Sequence, residues 1–234
     1  MTVKIKEKLK RIYKDQDIDQ IYIRLMQMLD NVKEGKRRSK DFSSEDVILI
    51  TYGDQFKGDR EKPLKFLKRF SDEYFKDYIN TIHILPFYPY SSDDGFSVID
   101  YETVNEDLGT WEDIEEISKD YKLMFDFVCN HISAKSEWFK GFLEGDEKYK
   151  DYFIVVDPKT DLSKVIRPRA LPLLTAFETK IGTKYVWTTF SEDQIDLNYK
   201  NPEVLLNMIK VLLLYVEKGA DLIRLDAIGF CGRR

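Results

Sequence analysis

An α/β fold with parallel strands is what this chain predicts, on three observations. Continuously apolar runs recur at 47–52, 79–86, 122–131 and 220–228, as expected of strands buried on both faces in a parallel sheet. Segments of helical periodicity alternate with these runs. Polar residues gather where the runs end: Asp54, Asp93 with Asp94, Asn130 with His131, and Asp226. In a (β/α) barrel that end is the active face. A doubly wound sheet is the rival architecture, but the first strand–helix turn lacks a Gly-rich phosphate fingerprint. About four strand–helix units are legible, against the eight that close a barrel. The expectation is the N-terminal half of a (β/α)8 TIM barrel, with a small subdomain inserted after the third strand and a helical N-terminal extension.

Residues 3–13 and 17–33 carry helical periodicity, with Ile18, Ile21, Leu25, Met28 and Leu29 on one stripe. A polar link over 33–44 follows, and its Lys36-Arg37-Arg38 cluster reads as solvated loop. Residues 1–45 are therefore assigned to the extension, 46–131 and 201–234 to the partial barrel, and 132–200 to the inserted subdomain B. The first strand ends in Gly53-Asp54, and 61–77 reads as an amphipathic helix with Pro63 near its first turn. Thr110, with Asp113 three residues on, opens a helix over 110–121 in a capping-box-like pair. Asn201-Pro202-Glu203 opens a long helix with an N-cap, a proline at its first position and an acid in its first turn. That helix runs through Leu205, Leu206, Ile209 and Leu213 to Gly219. Between the third strand and this helix lie about 70 residues, a length that marks a functional connection or a small subdomain. They are rich in aromatics, including Trp138, Phe139, Tyr152, Phe153, Trp187 and Phe190. The subdomain is expected to overhang the site.

Composition narrows the function. The chain has 234 residues, 43% of them hydrophobic, enough for a sizeable core. A net charge of -5 leaves no basic footprint for nucleic acid. Cys129 and Cys231, the two cysteines, have no metal-ligand spacing and suggest no disulfide framework; Cys129 reads as core. The first 14 residues alternate charges with single apolar residues, unlike a signal peptide. The longest apolar run, 211–216, is too short to span a bilayer. The expectation is a cytoplasmic, soluble protein with no membrane or nucleic-acid partner.

The chemistry lies in the third and fourth strands. Residues two apart on a strand share a face, so Met124, Asp126, Val128 and Asn130 align, as do Leu222, Arg224 and Asp226. Adjacent strands lie roughly 4.8 Å apart, so Arg224 can pair with Asp126 and support an ionised Asp226. A cation beside a carboxylate lowers its pKa, which suits a nucleophile. Plainer readings stay open: Asp126 as a structural partner of Arg224, Asp226 as a buried ion-pair member, His131 as a structural residue. His83, mid-strand, reads as core.

Phe125-Asp126-Phe127-Val128-Cys129-Asn130-His131 and Ile223-Arg224-Leu225-Asp226-Ala227 resemble the first two signature regions of glycoside hydrolase family 13, the α-amylase superfamily. Further segments resemble its sucrose phosphorylase group. These are Thr51-Tyr52-Gly53-Asp54, His83-Ile84-Leu85-Pro86-Phe87-Tyr88-Pro89, Ser92-Asp93-Asp94-Gly95-Phe96-Ser97, Leu108-Gly109-Thr110-Trp111, Arg167-Pro168-Arg169 and Gln194-Ile195-Asp196-Leu197. The Ser-Asp-Asp-Gly-Phe-Ser variant and the helical extension look more like the glucosylglycerate and sucrose-6-phosphate phosphorylases of that group.

The resemblance implies a retaining double displacement on an α-glucoside. Asp226 would form a glucosyl-enzyme and Arg224 would orient it; inorganic phosphate would then release α-glucose 1-phosphate. His131 and Asp93 would hydrogen-bond the sugar, with Phe96 stacked on it. Arg169 and Gln194 match acceptor-side positions, and an arginine fork suits phosphate. Tyr52 and Phe190 would wall the subsites, and Asp126 and Asn130 would support the site. No metal and no cofactor are implied.

A retaining pair needs two carboxyls roughly 5–5.5 Å apart. In this family the acid/base Glu follows the fifth strand and a third Asp the seventh. The expectation is thus a truncated gene product or fragment, with its enzymatic status open. Open barrel edges would favour self-association or complementation by a second half. Two alternatives stand beside phosphorolysis: a glucoside-binding relic without turnover, and a hydrolase or transglucosylase of the same superfamily. The acceptor stays open among fructose, a phosphorylated fructose and glycerate.

Overall fold

The computed structural model describes residues 2–32, 43–58, 60–166 and 168–232. The basic cluster at 36–38 and Arg167 of the Arg-Pro-Arg segment lie outside the described residues. Strands β1 (Ile48–Thr51), β2 (Thr81–Ile84), β3 (Lys122–Val128) and, late in the chain, β8 (Ala220–Asp226) form one sheet in the order β1-β2-β3-β8. Every pairing in it is parallel. This sequential, all-parallel order is that of a partial (β/α)8 barrel.

Helices α3 (Pro63–Tyr74), α4 (Trp111–Ile117) and α6 (Pro202–Glu217) connect the strands. Leu64 and Leu67 of α3, Ile114 and Ile117 of α4, and Val211 and Tyr215 of α6 join Ile82, Ile84, Leu123 and Phe125 of the sheet in one buried cluster. The start signals act as expected. Pro63 and Pro202 occupy first-turn positions, and the Asn201 side chain accepts from the Glu203 amide. Asp113 accepts the Thr110 backbone N–H at 2.9 Å, one arm of the capping box.

Two expectations need correction. The apolar runs predicted strands buried on both faces, which holds for β2, all of whose residues are buried, but not at the sheet margins. Ile48 and Ile50 of β1 and Leu225 of β8 are exposed, because each of these strands pairs on one side within the sheet. The third strand, read as continuous to residue 131, ends at Val128. His131 instead opens β4 (His131–Ser133), which pairs antiparallel with β7 (Gln194–Asp196). The Asn130 carbonyl accepts the Leu197 amide at 2.9 Å, turning the chain away from the barrel sheet.

The segment between β3 and α6 also holds α5 (Glu137–Leu143) and the hairpin of β5 (Leu174–Thr179) with β6 (Gly182–Trp187). Its Ile132, Phe139, Phe142, Tyr152, Phe153, Val186 and Ile195 belong to the same buried cluster as the sheet. The first two helices, α1 (Thr2–Ile12) and α2 (Ile18–Asp30), form a second cluster that docks on α6 through Leu206. Arg24 of α2 grips Glu203 with both guanidinium nitrogens, and Tyr13 donates to the Tyr199 carbonyl at 2.9 Å.

Candidate active site

Parallel pairing sets Asp126 beside Arg224 and Val128 beside Asp226, as the strand periodicity predicted. Asp126 is fully buried and bridges two bases. Its Oδ2 lies 2.7 Å from His83 Nε2, and its Oδ1 accepts from Arg224 Nη1. The same Nη1 lies 3.1 Å from Asp226 Oδ1. His83 is thus not merely core; it ends a chain of polar contacts that runs through Asp126 and Arg224 to Asp226.

The electrostatics of Asp226 differ from the expectation. Burial pushes its carboxyl above the ordinary range and outweighs the lowering by Arg224, while Asp126 and Asp93 add to the rise. A cation two residues away does not offset desolvation of a carboxylate that also faces other carboxylates.

Asp226 and Arg224 open into a cavity of about 350 Å³ shared with Tyr52, Asp93, Asp94, Phe96, His131, Arg169, Phe190 and Gln194. All seven residues that the resemblance implied for substrate line this one space, although they come from distant parts of the chain; Asp94 joins them there. Tyr52 follows β1, and burial followed by the charge of Asp94 raises its phenol pKa. The Phe96 ring lies 5.6 Å from the Arg224 guanidinium, and the Phe190 ring packs 5.1 Å from His131 and 5.8 Å from the Arg169 guanidinium.

His131 is buried and its pKa is lowered to about 4, chiefly by desolvation, so its imidazole is neutral at physiological pH. Its Nε2 lies 2.9 Å from the Phe96 carbonyl, and Nδ1 lies 3.5 Å from Asn130 Nδ2. The same Nε2 also lies 3.2 Å from Gln194 Nε2.

Asp93 is held from two sides. Arg169 Nη2 reaches both carboxylate oxygens at 3.1 Å, and Gln194 Nε2 donates at 2.9 Å. Asp93 and Asp94 both have left-handed backbones, with φ of 56° and 48°. Gly95 follows at φ 101°, and a Cβ there would meet the Pro86 carbonyl oxygen at 2.7 Å. Only glycine fits that approach.

Sequence reasoning missed the residue that fastens this turn. Asp193 accepts from the hydroxyls of Ser91 and Ser92 at 2.5 Å, Ser97 at 2.9 Å and Ser133 at 3.3 Å. Burial raises its pKa, but the four hydroxyls outweigh burial and hold it below the ordinary value. It directly precedes Gln194, so one carboxylate ties the Asp93 turn to subdomain residues that also touch Asp93. The serine-rich stretch 91–97 was the available signal. Among the described residues, no three His, Cys, Asp or Glu side chains converge as metal ligands.

Residues 67–234 match the family model of the alpha amylase catalytic domain. The chain is 58% identical over 195 residues to glucosylglycerate phosphorylase of Allomeiothermus silvanus, and 56% identical over 196 residues to that of Escherichia coli. Each match covers 83% of this chain and 35% of the relative, so the chain spans about a third of the length of these curated relatives. Among solved structures it is similar to sucrose 6F-phosphate phosphorylase from Thermoanaerobacter thermosaccharolyticum. That match has a TM-score of 0.75 at 31% identity and covers 83% of this chain and 42% of the other. The chain belongs to the alpha-amylase family, glycoside hydrolase family 13. Within it, these relatives place the chain in the sucrose phosphorylase-like branch, together with the glucosylglycerate and sucrose-6-phosphate phosphorylases.

Proposed function

We propose that this chain carries the glucosyl-accepting part of a retaining α-glucoside phosphorylase site, with Asp226 as nucleophile and a glucosylglycerate-type glucoside as substrate. The observation that carries the proposal is the shared cavity, in which Asp226, oriented by Arg224, faces the Asp93 turn, Phe96 and His131. Asp226 attacks the anomeric carbon as the bond to the acceptor oxygen breaks, that oxygen taking a proton from the general-acid Glu that the family places after its fifth strand. An oxygen of inorganic phosphate then displaces the carboxylate and leaves as α-glucose 1-phosphate. Arg169 at the cavity mouth supports phosphate or an anionic acceptor through its planar fork. The higher identity to glucosylglycerate phosphorylases than to the sucrose 6F-phosphate enzyme favours glycerate as acceptor.

Glucosyl fluoride tests the nucleophile on this chain directly, because fluoride leaves without needing a proton. Asp226 should gain one glucosyl residue, detected by peptide mass spectrometry, and added phosphate should convert the label to glucose 1-phosphate. Labelling that persists in Asp226→Asn sinks the assignment. Calorimetric glucoside binding without any label indicates a binding role alone, and capture by water in place of phosphate indicates a hydrolase.

We also propose that the β1 and β8 edges accept further strands, a reading supported by exposed Ile48, Ile50 and Leu225. A compact, stable monomer on size exclusion argues against it. The compartment we propose is the cytoplasm, which sparse cysteine usage supports.

A further inference from the structure

Two cysteines 102 positions apart meet behind the site, with Cys129 Sγ 3.5 Å from Cys231 Sγ. Cys129 follows β3 directly, two residues before His131. Cys231 follows a 3-10 turn, Ile228–Phe230, that leaves β8 just after Asp226. Cys129 Sγ also lies 3.5 Å from the Asp226 carbonyl oxygen, and Tyr199 Oη donates to the Cys129 carbonyl at 2.5 Å. Both thiols line a largely apolar cavity of about 610 Å³ on the helix side of the sheet, between the end of α1 and the face of α6. Cys231 is half-buried there, and Cys129 lies buried beside it.

We propose that Cys129 and Cys231 form a reversible disulfide by exchange with a low-molecular-weight disulfide, fixing the segment that follows Asp226 to the end of β3. A disulfide bond is about 2.05 Å long, so the sulfurs must close by roughly 1.5 Å from 3.5 Å. Cys231 can supply that movement. It is half-buried, lies beyond the strand, and precedes Gly232 with φ 70°. Either sulfur can be the donor in their contact.

The exchange balances in two steps. One of the two cysteine thiolates attacks one sulfur of glutathione disulfide, releases one glutathione thiolate and forms a mixed disulfide. The other cysteine, losing its proton, attacks the protein sulfur of that mixed disulfide and releases the second glutathione. Two protein thiols are oxidised and one small disulfide is reduced to two thiols. The product closes a long loop and pins Phe230, whose ring packs at 5.3 Å against Phe190 in the wall of the glucosyl cavity. The inference does not depend on the proposed phosphorolysis.

The test uses the reduced full chain in glutathione buffers at neutral pH. Mass spectrometry of unreduced peptides should show one Cys129–Cys231 cross-link and no retained glutathione, reversed by dithiothreitol. The oxidised chain should melt roughly 5–15 °C higher, as expected for so long a loop. Cys231→Ser and Cys129→Ser should each abolish the cross-link, with any retained glutathione on the remaining cysteine. Two thiols that stay free in excess glutathione disulfide, or cross-links only between chains, overturn the proposal.

Discussion

Asp126→Asn separates the two tasks of the buried carboxylate. Asp126 holds His83 at 2.7 Å on one oxygen and the Arg224 guanidinium on the other. Asparagine keeps the shape but has one oxygen and no charge, so it satisfies one base and turns an amide toward the other. Hydrogen bonds to charged groups contribute roughly 1.5–3 kcal/mol each. The Arg224 side chain is 42% exposed, which discounts its share through solvent screening. A net loss of about 2 kcal/mol follows, and at about 2–4 °C per kcal/mol for a chain of this size the melting temperature falls by roughly 4–8 °C. The second readout moves the other way. Asp126 is one of the charges that raise Asp226, so removing it lowers the Asp226 pKa and leaves Arg224 to that carboxylate alone. Thermal melts monitored by circular dichroism and a carbon-13 carboxyl titration of Asp226 measure both effects. An unchanged melt, or an Asp226 midpoint that moves up, refutes the coupling of Asp126 to these partners.

Three further changes probe the same region. Asp226 is pushed above its ordinary 3.8 by burial, so its contribution to stability is present below that value and is lost as pH rises through the folded pKa. Asp226→Asn should therefore melt higher than the parent at pH 7 and lose that advantage in acid, as differential scanning calorimetry across pH would show. Asp193 is depressed by its serine donors, so its stabilisation is present at neutral pH and lost as pH falls through the folded pKa. Asp193→Asn should cost about 2–3 kcal/mol by urea titration at pH 7, with the gap to the parent narrowing in acid. Gly95→Ala should cost roughly 1–3 kcal/mol for its left-handed backbone and the Pro86 contact, and calorimetry should show weakened glucoside binding as Asp93 shifts.

Strand periodicity made the Asp126–Arg224–Asp226 alignment legible, because register carries side chains with it. The ordered motifs located the seven lining residues that sequence analysis named for substrate, but not Asp94. Three things were not legible. The break between Val128 and His131 depends on the distant Leu197 amide, which no local pattern reveals. The pKa of Asp226 depends on burial, which spacing does not report. Asp193 and Cys231 gain their roles from partners roughly 60 to 100 residues away, brought near by parallel crossovers whose ends lie far apart in sequence.

One hydrophobic cluster runs without interruption from the barrel helices into the segment that overhangs the cavity. Residues 132–200 are therefore not an independent cassette: grafted onto another sheet they would lose part of their core. Phe139, Phe153 and Val186 would arrive with a shape fitted to this sheet alone.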